Sequence, residues 1–145
     1  MRNSVRFSPR MKWWFFSVFG ILFLSGIIWL VLHYMADKQG EFYNPFEPRL
    51  MKIHGAAAMV FLVVLGVLIP THTRRAWNQR RNRVTAVVMI GVCLLMIFSG
   101  YGLYYCGEED WRVWISGCHS VAGSLLPLVL VWHIFLGRKS RRALR

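Results

Sequence analysis

The sequence is nearly devoid of charge over four long apolar runs, which cover residues 13–32, 53–71, 84–105 and 113–137. Setting Tyr and Cys aside, the only ionisable side chains in these runs are those of His54, His119 and His133. A helix needs about 20 apolar residues to cross roughly 30 Å of hydrocarbon, and each run meets that length. A water-soluble domain is excluded, because a chain of 145 residues with 56% hydrophobic composition would leave much apolar surface wet.

Alternation of apolar and polar residues with a period of two is also missing from the runs. Backbone polar groups at membrane depth must be satisfied within the protein, which leaves helices or a closed barrel, and barrel strands would alternate. We therefore predict an all-α membrane protein with one domain over residues 1–145. Its helices are expected at residues 13–34, 52–71, 84–105 and 113–137, and the short connections favour an up-and-down four-helix bundle.

Acidic residues are scarce and confined to two connections. There are 6 Asp and Glu against 18 Lys and Arg, and the acidic residues follow the first and third helices (Asp37, Glu41, Glu47, Glu108, Glu109 and Asp110). Fourteen of the basic residues lie in the N-terminal tail, in the connection 74–83 and in the C-terminal tail. This alternation follows the positive-inside rule, so we predict a multi-pass protein of the bacterial inner membrane with both termini in the cytoplasm.

The net charge of +12 is therefore attributed to membrane orientation and contact with anionic lipid, and not to nucleic-acid binding. Basic residues also precede the first run, as they do in a secretory signal. That run is longer than a signal core, and no small-x-small cleavage site follows it. We expect it to remain as a helix.

Cysteine is rare, and two of the three cysteines flank the connection between the third and fourth helices. Cys106 and Cys118 would face an oxidising periplasm, where a disulfide persists. The sequence leaves open whether they form a bridge or stay as free thiols, because a disulfide depends on geometry. Cys93, in the middle of the third helix, is expected to be a core residue.

Two segments resemble each other and indicate a duplicated hairpin. The first helix contains FLSGIIW (23–29) and the third contains IFSGYGL (97–103), each with Ser-Gly near the predicted outer end. Each is followed by a helix that opens with a histidine, His54 or His119, and has a small residue four positions later.

The histidines carry the functional prediction, since an ionisable residue inside a membrane marks function by default. His119 and His133 are 14 residues apart, which is about 21 Å along a helix and within roughly 40° of one face. His54 and His72 are 18 residues apart, about 27 Å and at nearly the same angle. Both helices run from outside to inside. We therefore expect His54 to pair with His119 near the outer surface, and His72 with His133 near the inner surface.

Two such pairs suit two haems b. A neutral imidazole is a good axial ligand of haem iron, and two of them fill both axial positions. Small residues in the same helices would let a flat macrocycle fit between them. No cysteine belongs to a Cys-x-x-Cys-His motif, so covalently attached haem is not indicated.

The segment CHSVAGSLLPLVLVWH (118–133) resembles the His-x-x-x-Gly motif and histidine spacing of membrane di-haem cytochromes b. Over residues 13–137 the chain is similar to the cytochrome b anchors of nickel-iron hydrogenases and formate dehydrogenases, to quinol-oxidising bacterial cytochromes b and to flavinylation-associated cytochromes.

The resemblance implies electron transfer between quinone or quinol and a periplasmic redox protein or flavoprotein, with the chain as a subunit of an oxidoreductase. By this resemblance His54, His119 and His133 match iron-ligand positions, and His72 is expected as the fourth ligand. His72 departs from the family spacing by about four residues. Pro70 would offset this by kinking the helix end, or the inner haem would use another ligand or be absent.

Other interpretations stay open. A cofactor-free structural or assembly subunit would use the histidines only for hydrogen bonds between helices. Zinc is disfavoured because the two levels are too far apart and only Cys118 offers a nearby thiolate. A transporter would need buried carboxylates or broken helices near the midplane. For His33, at the outer end of the first helix, we favour an interfacial role.

Overall fold

The computed structural model describes residues 8–39, 45–78 and 82–142, which are almost wholly helical. Within them the elements are α1 (Pro9–Gln39), α2 (Glu47–Leu68), a π-helical turn (Ile69–Thr73), α3 (Arg74–Asn78), α4 (Arg83–Tyr105) and α5 (Glu109–Arg142). Four of these helices, α1, α2, α4 and α5, are long and apolar enough to cross a membrane. The predicted all-α class and the four spans are confirmed, and the chain is a multi-pass membrane protein.

Each of the four long helices begins before its apolar run, where polar residues precede or occupy the first turn. α1 begins at Pro9, since Ser8 Oγ accepts the Met11 N–H at 3.2 Å and proline suits the first helical position. α2 begins with Glu47, whose negative charge in the first turn interacts favourably with the helix dipole. Before α4, Asn82 adopts a left-handed φ of 49°, a conformation that asparagine tolerates better than most residues.

The chain divides into two compact units, residues 1–75 and 76–145. The first unit contains α1 packed on α2, which we call the first hairpin, and the second contains α4 packed on α5, the second hairpin. Both hairpins are antiparallel. We call the hairpin ends near Glu47 and Glu109 the acidic ends, and the ends near Pro9 and Arg83 the basic ends.

Few side chains of the described helices are buried. The buried apolar side chains are Val18, Ala57, Phe61, Leu68 and Leu126, whereas large apolar residues along every span are exposed. In the first hairpin, Phe61 of α2 packs against the rings of Phe15 and Phe19 of α1. Such exposure suits lipid as the solvent, because hydrocarbon gives apolar side chains no reason to be buried.

α2 does not reach Thr71 as a regular helix, unlike the predicted element. It ends at Leu68 and continues as the π-helical turn, which contains Pro70 and His72. Proline has no N–H to donate to the carbonyl four residues earlier, so the regular hydrogen-bond ladder is interrupted here. The disturbance expected at Pro70 thus takes the form of a π-helical turn.

Cys106 and Cys118 are free thiols in the structure, so the bridge that the sequence allowed is not formed. The helix register gives the physical reason. A Cβ on Gly102 would lie 3.3 Å from the side chain of Ile115. In this antiparallel pair Cys106, four residues further along the chain and just past the end of α4, is therefore near the level of Trp111. Cys118 is seven residues beyond that level, or about 10 Å along α5, which exceeds the usual Cα–Cα separation in disulfides.

Candidate functional site

In the second hairpin, His119 of α5 faces Ser99 of α4, with Nδ1 2.8 Å from the serine Oγ. The Ser99 hydroxyl is buried and donates its proton to the Leu95 carbonyl at 2.6 Å, within its own helix. A hydroxyl has one proton, so this oxygen can only accept from the imidazole. His119 therefore carries its proton on Nδ1, and the lone pair lies on Nε2.

The first hairpin repeats this arrangement with His54 of α2 and Ser25 of α1. His54 Nδ1 lies 2.9 Å from the Leu22 carbonyl and 3.2 Å from Ser25 Oγ. A carbonyl oxygen only accepts, so Nδ1 must donate. The buried Ser25 hydroxyl in turn donates to Leu22 O at 3.1 Å. The electron pair of His54 again lies on Nε2.

A third pair lies near the basic end of the second hairpin. His133 Nδ1 is 3.0 Å from Oγ1 of Thr85, which is only 3% exposed. Thr85 donates its hydroxyl proton to the Asn82 carbonyl at 3.1 Å, so it too must accept from the histidine. Asn82 also accepts, on Oδ1, the hydroxyl of Ser140 at 2.7 Å, which ties the end of α5 to the start of α4.

In all three pairs Nδ1 donates to an oxygen of the neighbouring helix, so each imidazole, when neutral, has its electron pair on Nε2. Metal-bound histidines usually donate the N–H of the non-coordinating nitrogen to an oxygen, which fixes the tautomer and the ring orientation. The donor set of these rings therefore fits a metal that binds Nε2. No group of three or more His, Cys, Asp or Glu that could hold a metal ion occurs within the described part of the chain, and zinc would want such a group.

Glycine explains why the rings of His54 and His119 reach their hydroxyl partners. A Cβ added to Gly26 would lie 2.8 Å from His54 Cε1, and one added to Gly100 would lie 3.4 Å from His119 Cε1. A Cβ at Gly26 would force the His54 ring or the helix to shift, whereas the 3.4 Å contact at Gly100 is at the limit of ordinary van der Waals distance. The duplicated Ser-Gly thus has a physical role, in which the serine accepts the imidazole proton and the glycine gives the ring space.

The duplication does not extend to the basic ends. His133 follows His119 by 14 residues, and the residue 14 positions after His54 is Leu68, which is buried. His72 lies four residues later, in the π-helical turn, and is partly exposed. The structure therefore places three of the four predicted ligands in histidine–hydroxyl pairs and places His72 at the end of its hairpin.

His33 belongs to a different contact at the acidic end of the first hairpin. Its ring stacks on Trp29 with centroids 4.7 Å apart, and Nδ1 lies 3.0 Å from a carboxylate oxygen of Glu47. With a side chain that is 57% exposed, His33 serves as a surface contact between α1 and α2. The interfacial role favoured from the sequence stays a prediction.

Sequence reasoning found the histidines but missed the residues that orient them. In the sequence Ser25 and Ser99 stand out only as part of a repeat, and nothing distinguishes Thr85. The available signal was a hydroxyl residue on one helix at the level of a histidine on the next. This signal can be recognised only when the alignment of the two helices in the hairpin is known, and the sequence does not give that alignment.

The chain matches no protein-family model, no curated protein and no solved structure. Its function is therefore argued from these residues alone.

Replacing Gly26 by alanine tests the close approach of His54. We expect Gly26→Ala to lower the free energy of unfolding by about 1–3 kcal/mol, because the ring or the helix must shift to admit the methyl group. The matched control is Gly20→Ala in the same helix, where a Cβ meets nothing within 4 Å. The control should be neutral or stabilising by up to about 1 kcal/mol. Equal stability of the two variants in detergent unfolding would contradict the close contact.

Replacing Ser99 by alanine tests the hydroxyl acceptor of His119. We expect Ser99→Ala to cost about 1 kcal/mol of unfolding free energy, since a short interhelical hydrogen bond is lost. Ser124→Ala is the control, because that exposed hydroxyl bonds the Ser120 carbonyl within its own helix. A cost in Ser124→Ala as large as that in Ser99→Ala would argue against the interhelical bond.

Proposed function

We propose that this chain is a b-type cytochrome of the bacterial inner membrane, with His54, His119 and His133 as ligands of haem iron. The observation that supports this most strongly is the common geometry of the three rings, each with Nδ1 at hydrogen-bond distance from an oxygen of the neighbouring helix, so that Nε2 is the nitrogen that would bind a metal. Haem iron, when bound, supplies a centre that takes up and releases one electron, and bis-imidazole ligation leaves it no open position.

The chain's own residues would prepare and hold the ligands. Ser25, Ser99 and Thr85 keep the imidazole proton on Nδ1 and restrict rotation of the ring. Gly26 and Gly100 let the rings of His54 and His119 approach the neighbouring helix. A ring held in one orientation loses less freedom on binding a metal, so the hydroxyls contribute to affinity as well as to geometry.

Two depths of ligand suit electron transfer across the bilayer. His119 and His133 are 14 residues apart in α5, or about 21 Å of the roughly 30 Å of hydrocarbon. The sequence-based pairing of His54 with His119, and of His72 with His133, stays a prediction, as do two haems b per chain. We propose quinone or quinol as one redox partner and a periplasmic redox protein or flavoprotein as the other.

A second candidate function is a cofactor-free structural or assembly subunit. The observation in its favour is that each histidine–hydroxyl hydrogen bond joins two helices of one hairpin, and polar pairs of this kind hold membrane helices together. The two candidates differ in one visible property, since a cytochrome absorbs in the visible range and a structural subunit does not.

Single histidine variants test the proposed ligands. In detergent-purified protein, we expect His54→Ala and His119→Ala to remove the same haem, and His133→Ala to remove a second one, because each variant loses a nitrogen that would bind iron. His33→Ala is the matched control and should keep the full haem content, since His33 contacts Glu47 at the acidic end. The readout is the reduced-minus-oxidised absorbance spectrum together with haem per chain.

Helicity measured by circular dichroism shows whether each variant is folded. Folded His54→Ala, His119→Ala and His133→Ala variants that all retain full haem would contradict the ligand assignment. A wild-type preparation that stays colourless after haem is added would leave the structural subunit as the function.

A further inference from the structure

α1 carries a groove near its basic end, formed by Arg10, Trp13, Trp14 and Ser17. Their spacing of three, four and seven residues places them on one side of the helix. The groove has a volume of about 330 Å³ and opens to the surroundings, with Trp13 76% and Trp14 66% exposed. It is separate from the histidine sites, since Ser25 lies eight residues beyond Ser17, or about 12 Å along the helix.

The polar groups of this groove are almost all hydrogen-bond donors. The guanidinium offers five N–H groups, each indole offers one, and the Ser17 hydroxyl donates or accepts. None of the four side chains makes a hydrogen bond or an ion pair within the part of the chain that the structure describes. A ligand that matches this set carries a negative charge and several acceptor oxygens.

The position of the groove in the membrane further restricts which class of ligand could bind there. Arg10 lies next to the start of the span, and Ser17 lies seven residues deeper, or about 10 Å. A phospholipid has its phosphate at the interface and its ester carbonyls just below, so it presents acceptors over such a depth. Arginine binds phosphate through paired N–H groups, and tryptophan favours the headgroup level.

We propose that this groove binds one anionic phospholipid, with the phosphate at Arg10 and the two indole N–H groups and an ester carbonyl at Ser17. The lipid belongs to the leaflet that meets the basic end of the first hairpin. A quinone head is neutral, so it would leave the guanidinium without a counter-ion at the edge of the hydrocarbon. This proposal does not depend on haem binding.

Lipid titration of the delipidated full chain in detergent tests the groove, with native mass spectrometry counting bound lipids. We expect phosphatidylglycerol to bind more tightly than phosphatidylcholine. Arg10→Gln should weaken the first phosphatidylglycerol roughly tenfold, because charge-assisted hydrogen bonds are lost. Lys12→Gln is the matched control, since it removes the same charge from the same helix two residues away, on a different face. It should leave that affinity unchanged.

Trp13→Phe is a second variant, which keeps an aromatic ring and removes one N–H donor. A measurable loss of phosphatidylglycerol affinity in this variant supports the proposal even if Arg10→Gln fails to fold. Equal losses of phosphatidylglycerol affinity in Arg10→Gln and Lys12→Gln would overturn the proposal, because they would show attraction to the overall positive charge and not binding in the groove. Equal binding of the two lipids, or displacement of phosphatidylglycerol by a soluble quinone analogue, would overturn it as well.

Discussion

The candidate site depends on where an imidazole puts its proton when no water competes for it. Ser25, Ser99 and Thr85 each donate their single hydroxyl proton to a carbonyl of their own helix, so their oxygens can only accept. The histidine on the neighbouring helix must then donate from Nδ1, which leaves the electron pair on Nε2. At membrane depth water does not replace such a hydrogen bond. The hydroxyl on one helix therefore determines which nitrogen of the imidazole on the other helix carries the donated proton.

This constraint also accounts for the likeness and the difference between the hairpins. Near the acidic ends both use Ser-Gly against a histidine, with the serine as acceptor and the glycine as space for the ring. Near its basic end the second hairpin has a further pair, Thr85 with His133, and the first has buried Leu68 followed by a π-helical turn that contains His72. The hairpins are therefore related but not equivalent, and the second holds two of the three pairs.

Sequence alone predicts the four spans well, because length and apolar composition decide which segments enter a membrane. It places the helix ends less well, since the cap at Ser8 lies outside the first apolar run and Pro70 ends the regular helix inside the second. The histidines stand out as rare ionisable residues at depth. Their hydroxyl partners do not stand out, because the partners are determined by contacts between helices. Those contacts depend on how the two helices of a hairpin are aligned along their length. The same alignment separates Cys106 from Cys118.

The most direct test of the account is which imidazole nitrogen coordinates iron. Histidine labelled with ¹⁵N only at Nε2 can be incorporated into the purified protein, and hyperfine coupling to low-spin ferric haem can be measured by pulsed electron paramagnetic resonance. The account predicts strong coupling from directly bound ¹⁵N at Nε2, with Nδ1 remote from the iron. Direct coordination by Nδ1, or the absence of any histidine coupling, would contradict it.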